Sequence, residues 1–233
     1  MAKDTYGVFI CFNSGNTASA TRNILCEMGV DNAGGTSYQS VIPYLIAGNA
    51  VAYTAFGGGI YYYFPLYIKA GSTVAFRAMS NSATTFRVSV YFYGEPRRPD
   101  AVRVGSYVDA FGFDATNRVG TTITAGTTSE GAWTQLGSAT TKSYWWWQCG
   151  FNINNATMNS GIFHTDISAG DATNKKLLFE NQYWAASATE AIGNIPAFQN
   201  AYNNVASGAN IYGRAQSSAT TTGTNMIAYG LGG

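Results

Sequence analysis

Charge is scarce in this sequence. Lys and Arg number 13 and Asp and Glu 12 in 233 residues, so charged side chains make up 11% of the chain. That is under half of the roughly 25% usual in soluble domains. The formal net charge is +1, and the basic residues are scattered, which argues against the clustered positive footprint of a nucleic-acid binder. Arg97-Arg98, just before Pro99, is the one tight basic pair and reads as solvated linker. Long apolar runs are also missing: no stretch of about 18 apolar residues occurs, so no transmembrane helix is expected. The opening MAKDTYGVFICF lacks the charged-then-apolar layout of a secretory signal, which points to synthesis in a cytoplasm.

Chemistry-bearing groups are few. Cys11, Cys26 and Cys149 are odd in number and lack C-x-x-C spacing, so neither a disulfide framework nor a zinc site is suggested. They read as reduced, buried thiols acting as small hydrophobes. His164 is the single histidine, with Asp166 two residues on. General acid–base work needs partners converging from different elements, so this pair reads as polar residues at a strand end. Nucleophile elbow, phosphate loop and helical His-Glu-x-x-His motifs are absent. Asp109, Asp114 and Glu130 are too dispersed for a calcium loop or a glycosidase carboxylate pair. No enzyme, metal or cofactor is expected.

What is present is Gly, Ser, Thr, Asn and Ala, with 16 Tyr, 13 Phe and 5 Trp. Low charge removes mutual repulsion, and a surface rich in aromatics favours association. Strand-length segments rich in β-branched and aromatic residues recur between Gly/Ser/Asn/Thr turns: Tyr6 to Phe12, Asn23 to Val30, Tyr38 to Ile46, Gly59 to Phe64, Thr73 to Met79 and Thr85 to Tyr93. No useful helix-period stripe appears. The expectation is all-β, of sandwich or barrel type.

The chain also repeats itself. Ile68-Lys-Ala-Gly71-Ser-Thr-Val74-Ala-Phe-Arg77-Ala-Met-Ser80 matches Val205-Ala-Ser-Gly208-Ala-Asn-Ile211-Tyr-Gly-Arg214-Ala-Gln-Ser217, at a spacing of 137 residues. Tyr144 to His164 matches Tyr6 to Cys26 without a gap at a spacing of 138. Two blocks at nearly one spacing indicate tandem duplication. Proline-rich Glu95 to Asp100 places a boundary, giving domains at 1–97 and 129–233 joined by a connector at 98–128 that packs over both. Thr73 to Met79 and Thr85 to Tyr93 are expected to pair as a hairpin. The second half has a leading strand, Gly131 to Leu136, whereas only five residues precede Tyr6. An incomplete sheet edge results, to be covered by the connector or by a neighbouring subunit.

The candidate residues follow from these patterns. Gly71 and Gly208 turn the chain, and Arg77 and Arg214 are structural forks bonding carbonyls or a carboxylate, with an intersubunit ion pair as the alternative. In Tyr61-Tyr62-Tyr63-Phe64 and Tyr144-Trp145-Trp146-Trp147, alternation buries half of each run. Tyr61, Tyr63, Trp145 and Trp147 are the candidates for a subunit interface or a glycan-stacking platform.

The prolines in Phe64-Pro65 and Ile195-Pro196, the Gly turn, the aliphatic-x-x-Arg-Ala-x-Ser run and the closing strand together resemble a tandem jelly-roll virion protein of tailed bacteriophages. The second half, with His164-Thr-Asp-Ile-Ser-Ala-Gly170, fits best. The resemblance implies two tandem jelly-roll-like β-sandwich domains in a non-enzymatic virion subunit: capsid decoration or cement, head fibre or tail adaptor. It implies as partners other copies of the chain and virion proteins such as the major capsid protein; a trimer is the preferred oligomer, since closed cyclic symmetry is common in such assemblies. The competing reading is a carbohydrate-binding, lectin-like module whose partners are surface glycans.

Overall fold

The computed structural model describes residues 1–14, 23–47, 60–81, 86–94, 103–153, 161–186, 193–194, 200–218 and 224–233. Within these, the chain is all-β. The first half contributes β1 (Gly7–Ser14), β2 (Ile24–Asp31), β3 (Gln39–Ile46), β4 (Ile60–Phe64), β5 (Thr73–Ser80) and β6 (Phe86–Tyr93). Then come β7 (Tyr107–Phe111), β8 (Phe113–Asp114), β9 (Val119–Ile123) and β10 (Thr134–Gly137). The second half contributes β11 (Tyr144–Ile153), β12 (Gly161–Gly170), β13 (Lys175–Ala186), β14 (Gly193–Asn194), β15 (Asn200–Val205), β16 (Asn210–Ser217) and β17 (Thr224–Gly232).

The halves share one wiring. The first half forms two antiparallel sheets, β4-β1-β6 and β3-β2-β5, and the second repeats the orders as β15-β11-β17 and β13-β12-β16. Details repeat as well. A bulge interrupts the pairing of β2 with β3 between Cys26 and Met28, and that of β12 with β13 between Thr165 and Ile167. Opposite each bulge lies a left-handed residue, Tyr44 (φ 51) and Asn181 (φ 55), a conformation uncommon outside glycine. The turns carry Gly71 (φ 86) and Gly208 (φ 93), which need the freedom only glycine has.

The expected hairpin does not form. β5 pairs with β2 and β6 with β1, so the two strands lie in different sheets. Each has one apolar face, and placing them on opposite sheets lets both faces point into one core instead of onto the same side. Proline-bounded Glu95 to Asp100, together with Ile195-Pro196, lies outside the described residues.

The second half is larger because residues 103–137 join it. β7 and β9 add to β17, with β8 beside β9, and β10 adds to β16. β7 also packs against the first half: Gly105 bonds Pro65 and Tyr67, and β3 lies close to β7. β11 and β17 are therefore covered on both faces. Trp147, Cys149, Phe151, Met226 and Ala228 belong to the second half's core. Trp145, Trp146, Ile227, Tyr229 and Leu231 complete the core of the first, with Ile10, Met28, Tyr62 and Phe64. The cores abut on one shared sheet.

Polar groups bind that seam. The Tyr229 hydroxyl accepts from the Ile46 amide at 3.0 Å and donates to the Tyr44 carbonyl at 3.0 Å. The Tyr62 hydroxyl donates to the Ile46 carbonyl at 2.8 Å, and the Gln148 side chain accepts from the Tyr63 amide at 3.1 Å. Gly150 makes room for both rings: a Cβ there would stand 2.8 Å from the Tyr229 hydroxyl and 2.9 Å from that of Tyr62. Its counterpart at the sequence spacing is Phe12, so the second half gives up a side chain where the first half docks.

Candidate assembly interface

Two clamps sit at matching places. In β2 and β5, Glu27 stands opposite Arg77, and in β12 and β16, Asp166 stands opposite Arg214. Each pair is an ion pair made through the guanidinium Nε: Arg77 to Glu27, and Arg214 to Asp166 at 2.7 Å. The Glu27 carboxylate also accepts from the Ser40 hydroxyl at 2.8 Å. Asp166 accepts from the amide of left-handed Asn181 at 2.7 Å, which ties the clamp to the bulge.

The clamps differ in their cover. Arg214 lies under the segment that leads into β10: its guanidinium stacks 4.5 Å from the Trp133 ring centroid and reaches Glu130 at 3.5 Å. Gly126 and Gly131 donate to the Ala215 carbonyl, and Ser217 donates to Gly126, closing the rest of that edge. On the side of β5 away from β2, no strand lies among the described residues. The Arg77 side chain is consequently 79% exposed against 24% for Arg214. The inward positions tell the same story: Ile211, Gly213, Ala215 and Ser217 are buried, while Val74 and Phe76 are half-buried and Ala78 is exposed. The described part of the connector, residues 103–128, does not cover this edge, contrary to one branch of the expectation. It pairs instead with β17, whose two-sided apolar strand offers more surface to bury.

β6 is open in the same way. β17 is flanked by β11 on one side and by β7 and β9 on the other, whereas β6 pairs only with β1 among the described strands. Every residue of β17 is buried, but Tyr91 is 59% and Tyr93 52% exposed on β6. The outer face of this sheet is aromatic. Phe9 lies between Tyr61 (5.8 Å) and Tyr91 (6.0 Å), and Tyr63 meets Tyr93 edge-on at 5.8 Å. Tyr63 crosses Gly7, where a Cβ would meet its hydroxyl at 2.7 Å. Tyr63 also touches Trp146 at 5.8 Å, and Trp146 leads to Tyr202 at 4.6 Å, which is 69% exposed.

The structure thus places Tyr61 and Tyr63 half-buried on this face, and Trp145 and Trp147 inside. Trp147 belongs to the second core, and its indole donates to the Asn203 carbonyl at 3.0 Å. Trp145 sits at an irregularity in the β11–β15 pairing, stacked on Tyr202 and under Arg103. Neither tryptophan can line an exposed platform, because β11 has protein on both faces and no outward side remains for alternation to fill. Phe9, Tyr91 and Tyr93 were missed as members of the face. Their alternation across β1 and β6 carries the signal, once those strands are known to be neighbours.

Other candidates resolve simply. Asp166 is engaged by Arg214, and His164 lies beside Tyr183, ring centroids 6.1 Å apart. Cys11, Cys26 and Cys149 are buried and form no disulfide. Burial pushes the Cys26 thiol up to about 12 and raises that of Cys149 as well. Asp31, Asp114 and Asp171 each cap a loop. Backbone amides, led by those of Ala33, Asn117 and Asn174 respectively, hold their carboxyls below the usual range.

No family model matches the chain, and no curated protein matches it. One solved structure, "Structure of infectious bursal disease virus Gx strain", aligns with 97% of this chain and 56% of that one. The identity is 9% and the TM-score 0.21, a likeness too slight to carry an argument. The chain spans a little over half the length of the virus chain it aligns with.

Proposed function

We propose that this chain is a non-enzymatic structural subunit of a bacteriophage particle, of the capsid-decoration or cement kind. The observation that carries the reading is the contrast between the halves: among the described residues, β16 and β17 are flanked on both sides in the second, whereas their counterparts β5 and β6 are each flanked on one side in the first. β5 (TVAFRAMS) and β6 (FRVSVYFY) carry one arginine each and no proline, lysine or acid. Edge strands left without such protection invite pairing with another chain, and aromatic side chains are enriched where proteins meet. The virion assignment comes from the sequence resemblance, and tandem duplication accounts for the shared wiring. Partners are further copies of the chain, in a closed ring such as a trimer, and the major capsid protein.

Quantitative mass spectrometry of purified particles tests this. Hundreds of copies per particle are expected for a decoration subunit; a dozen or fewer would move it to tail or vertex, and complete absence refutes the reading. The exposed hydroxyl-bearing rings of Tyr91 and Tyr93, beside Tyr61 and Tyr63, favour one alternative, a glycan-binding module. Glycan-array binding lost in Tyr91→Ser/Tyr93→Ser, by a protein that does not sediment as an oligomer, would establish it instead.

A further inference from the structure

We infer that the β5 edge receives an extended segment of a partner protein that carries a carboxylate three residues ahead of an aromatic ring. This deepens the subunit reading by naming the chemistry of one contact. The argument is internal to the molecule. At β16 the corresponding edge is filled by residues 126–137: Gly126 makes a parallel bridge to Gln216 by bonding Ala215 and Ser217, Gly131 bonds Ala215 again, and β10 then pairs antiparallel with Gly213 to Ile211. From this segment Glu130 supplies a charge to Arg214 and Trp133 a ring to its guanidinium face. β5 keeps the arginine, its buried acid partner and the turn glycine, and among the described residues lacks the cover.

The surroundings favour a protein strand over a free small ligand. A pocket of about 260 Å³ opens beside Arg77, lined by Glu27, Gly29, Tyr38, Ser40 and Ala75 among others. It is smaller than the roughly 300–1,000 Å³ of small-molecule sites, and it adjoins a strand edge able to form main-chain hydrogen bonds. That combination is how strand addition works, with the ladder giving affinity and side-chain pockets giving specificity. The pocket exists because the first half has Ala75 where the second has Tyr212, whose ring lies on the outer face under Lys175. A ring delivered by the partner occupies this space against Arg77. Glu27 already takes the Nε side of that guanidinium, so the remaining nitrogens face the incoming carboxylate.

The probe is a fluorescent peptide with the sequence of residues 126–139, GTTSEGAWTQLGSA, titrated with the full-length protein and read by anisotropy. Saturable binding is expected, weakened at least tenfold by Arg77→Met in the protein or by Glu130→Gln or Trp133→Ala in the peptide. Arg77→Glu should restore preference for a peptide bearing Glu130→Lys. Arg214→Met should leave the affinity within twofold, which excludes exchange with the protein's own segment. Absence of binding up to millimolar peptide overturns the inference, as does binding indifferent to Arg77. So does self-association of the chain that Arg77→Met abolishes while peptide has no effect on it, since the occupant is then a second copy. Purified protein and peptide suffice, so failure here leaves the subunit reading standing, and absence from particles leaves this edge chemistry standing.

Discussion

Replacing Arg214 by Met is expected to destabilise the protein by about 3 kcal/mol, whereas the same change at Arg77 should move the unfolding midpoint by no more than measurement error. In the second half, Asp166 has a side chain only 3% exposed and loses the one cationic partner it has among the described residues, keeping the Asn181 amide. Breaking a buried ion pair from one side costs about 3–5 kcal/mol because the other charge is stranded. Arg214 is 24% exposed, so water partly reaches the site and the lower end, about 2–3 kcal/mol, applies. Loss of the stack on Trp133 adds about 0.5–1 kcal/mol. At Arg77 the open edge lets water solvate what remains of Glu27, which keeps its Ser40 bond. Urea unfolding followed by tryptophan fluorescence and circular dichroism measures both. With a slope of about 3 kcal/mol per molar, the Arg214 variant should unfold about 1 M earlier. Equal shifts for the two arginines would refute the idea that cover by the segment leading into β10 makes the clamps unequal. The double variant Asp166→Asn/Arg214→Met provides a second check and should recover at least half of the loss.

Tyr229→Phe should cost about 1–3 kcal/mol, since the buried Ile46 amide and Tyr44 carbonyl lose their partner; calorimetry should still show one transition, and a split into two would mean the halves do not share a core. The three buried thiols should ignore a disulfide reagent at about pH 8 and all react once urea unfolds the chain; fast reaction of any one in native protein counts against its burial. The amide-capped Asp31, Asp114 and Asp171 have lowered folded-state pKa values. Their stabilisation is full above the unfolded value of about 4 and is lost as pH falls through the folded values. Urea midpoints should be flat from about pH 7 to 5 and drop below about 4, with a shallower drop in the triple Asp→Asn variant.

Local pattern carried much of this fold. Strands β2 to β6 begin and end within one residue of where composition and turns put them, β1 runs two residues further, to Ser14, and Gly71, Gly208, Arg77 and Arg214 occupy equivalent places. Partner choice was not legible, because β5 and β6 alternate equally well as a hairpin or as members of facing sheets. The tryptophan run misled for a related reason: alternation assigns an outside, and β11 has none. Its apolar residues on both faces, Trp146 as well as Trp147, were the available sign of a central strand. Gln148 and Gly150 carry no sequence signal, since their roles depend on Tyr63, Tyr62 and Tyr229 arriving from elsewhere.

The two-sided burial of β17 sets a schedule. Tyr229 and Leu231 complete a core begun by Val8 and Ile10, more than 200 residues earlier in synthesis. The early strands leave the ribosome with an apolar surface that nothing nearby can finish, and must wait for the late ones. Closing such a distant contact is slow relative to local pairing. During that delay, the strands most open to capture are the ones the finished protein reserves for its partners.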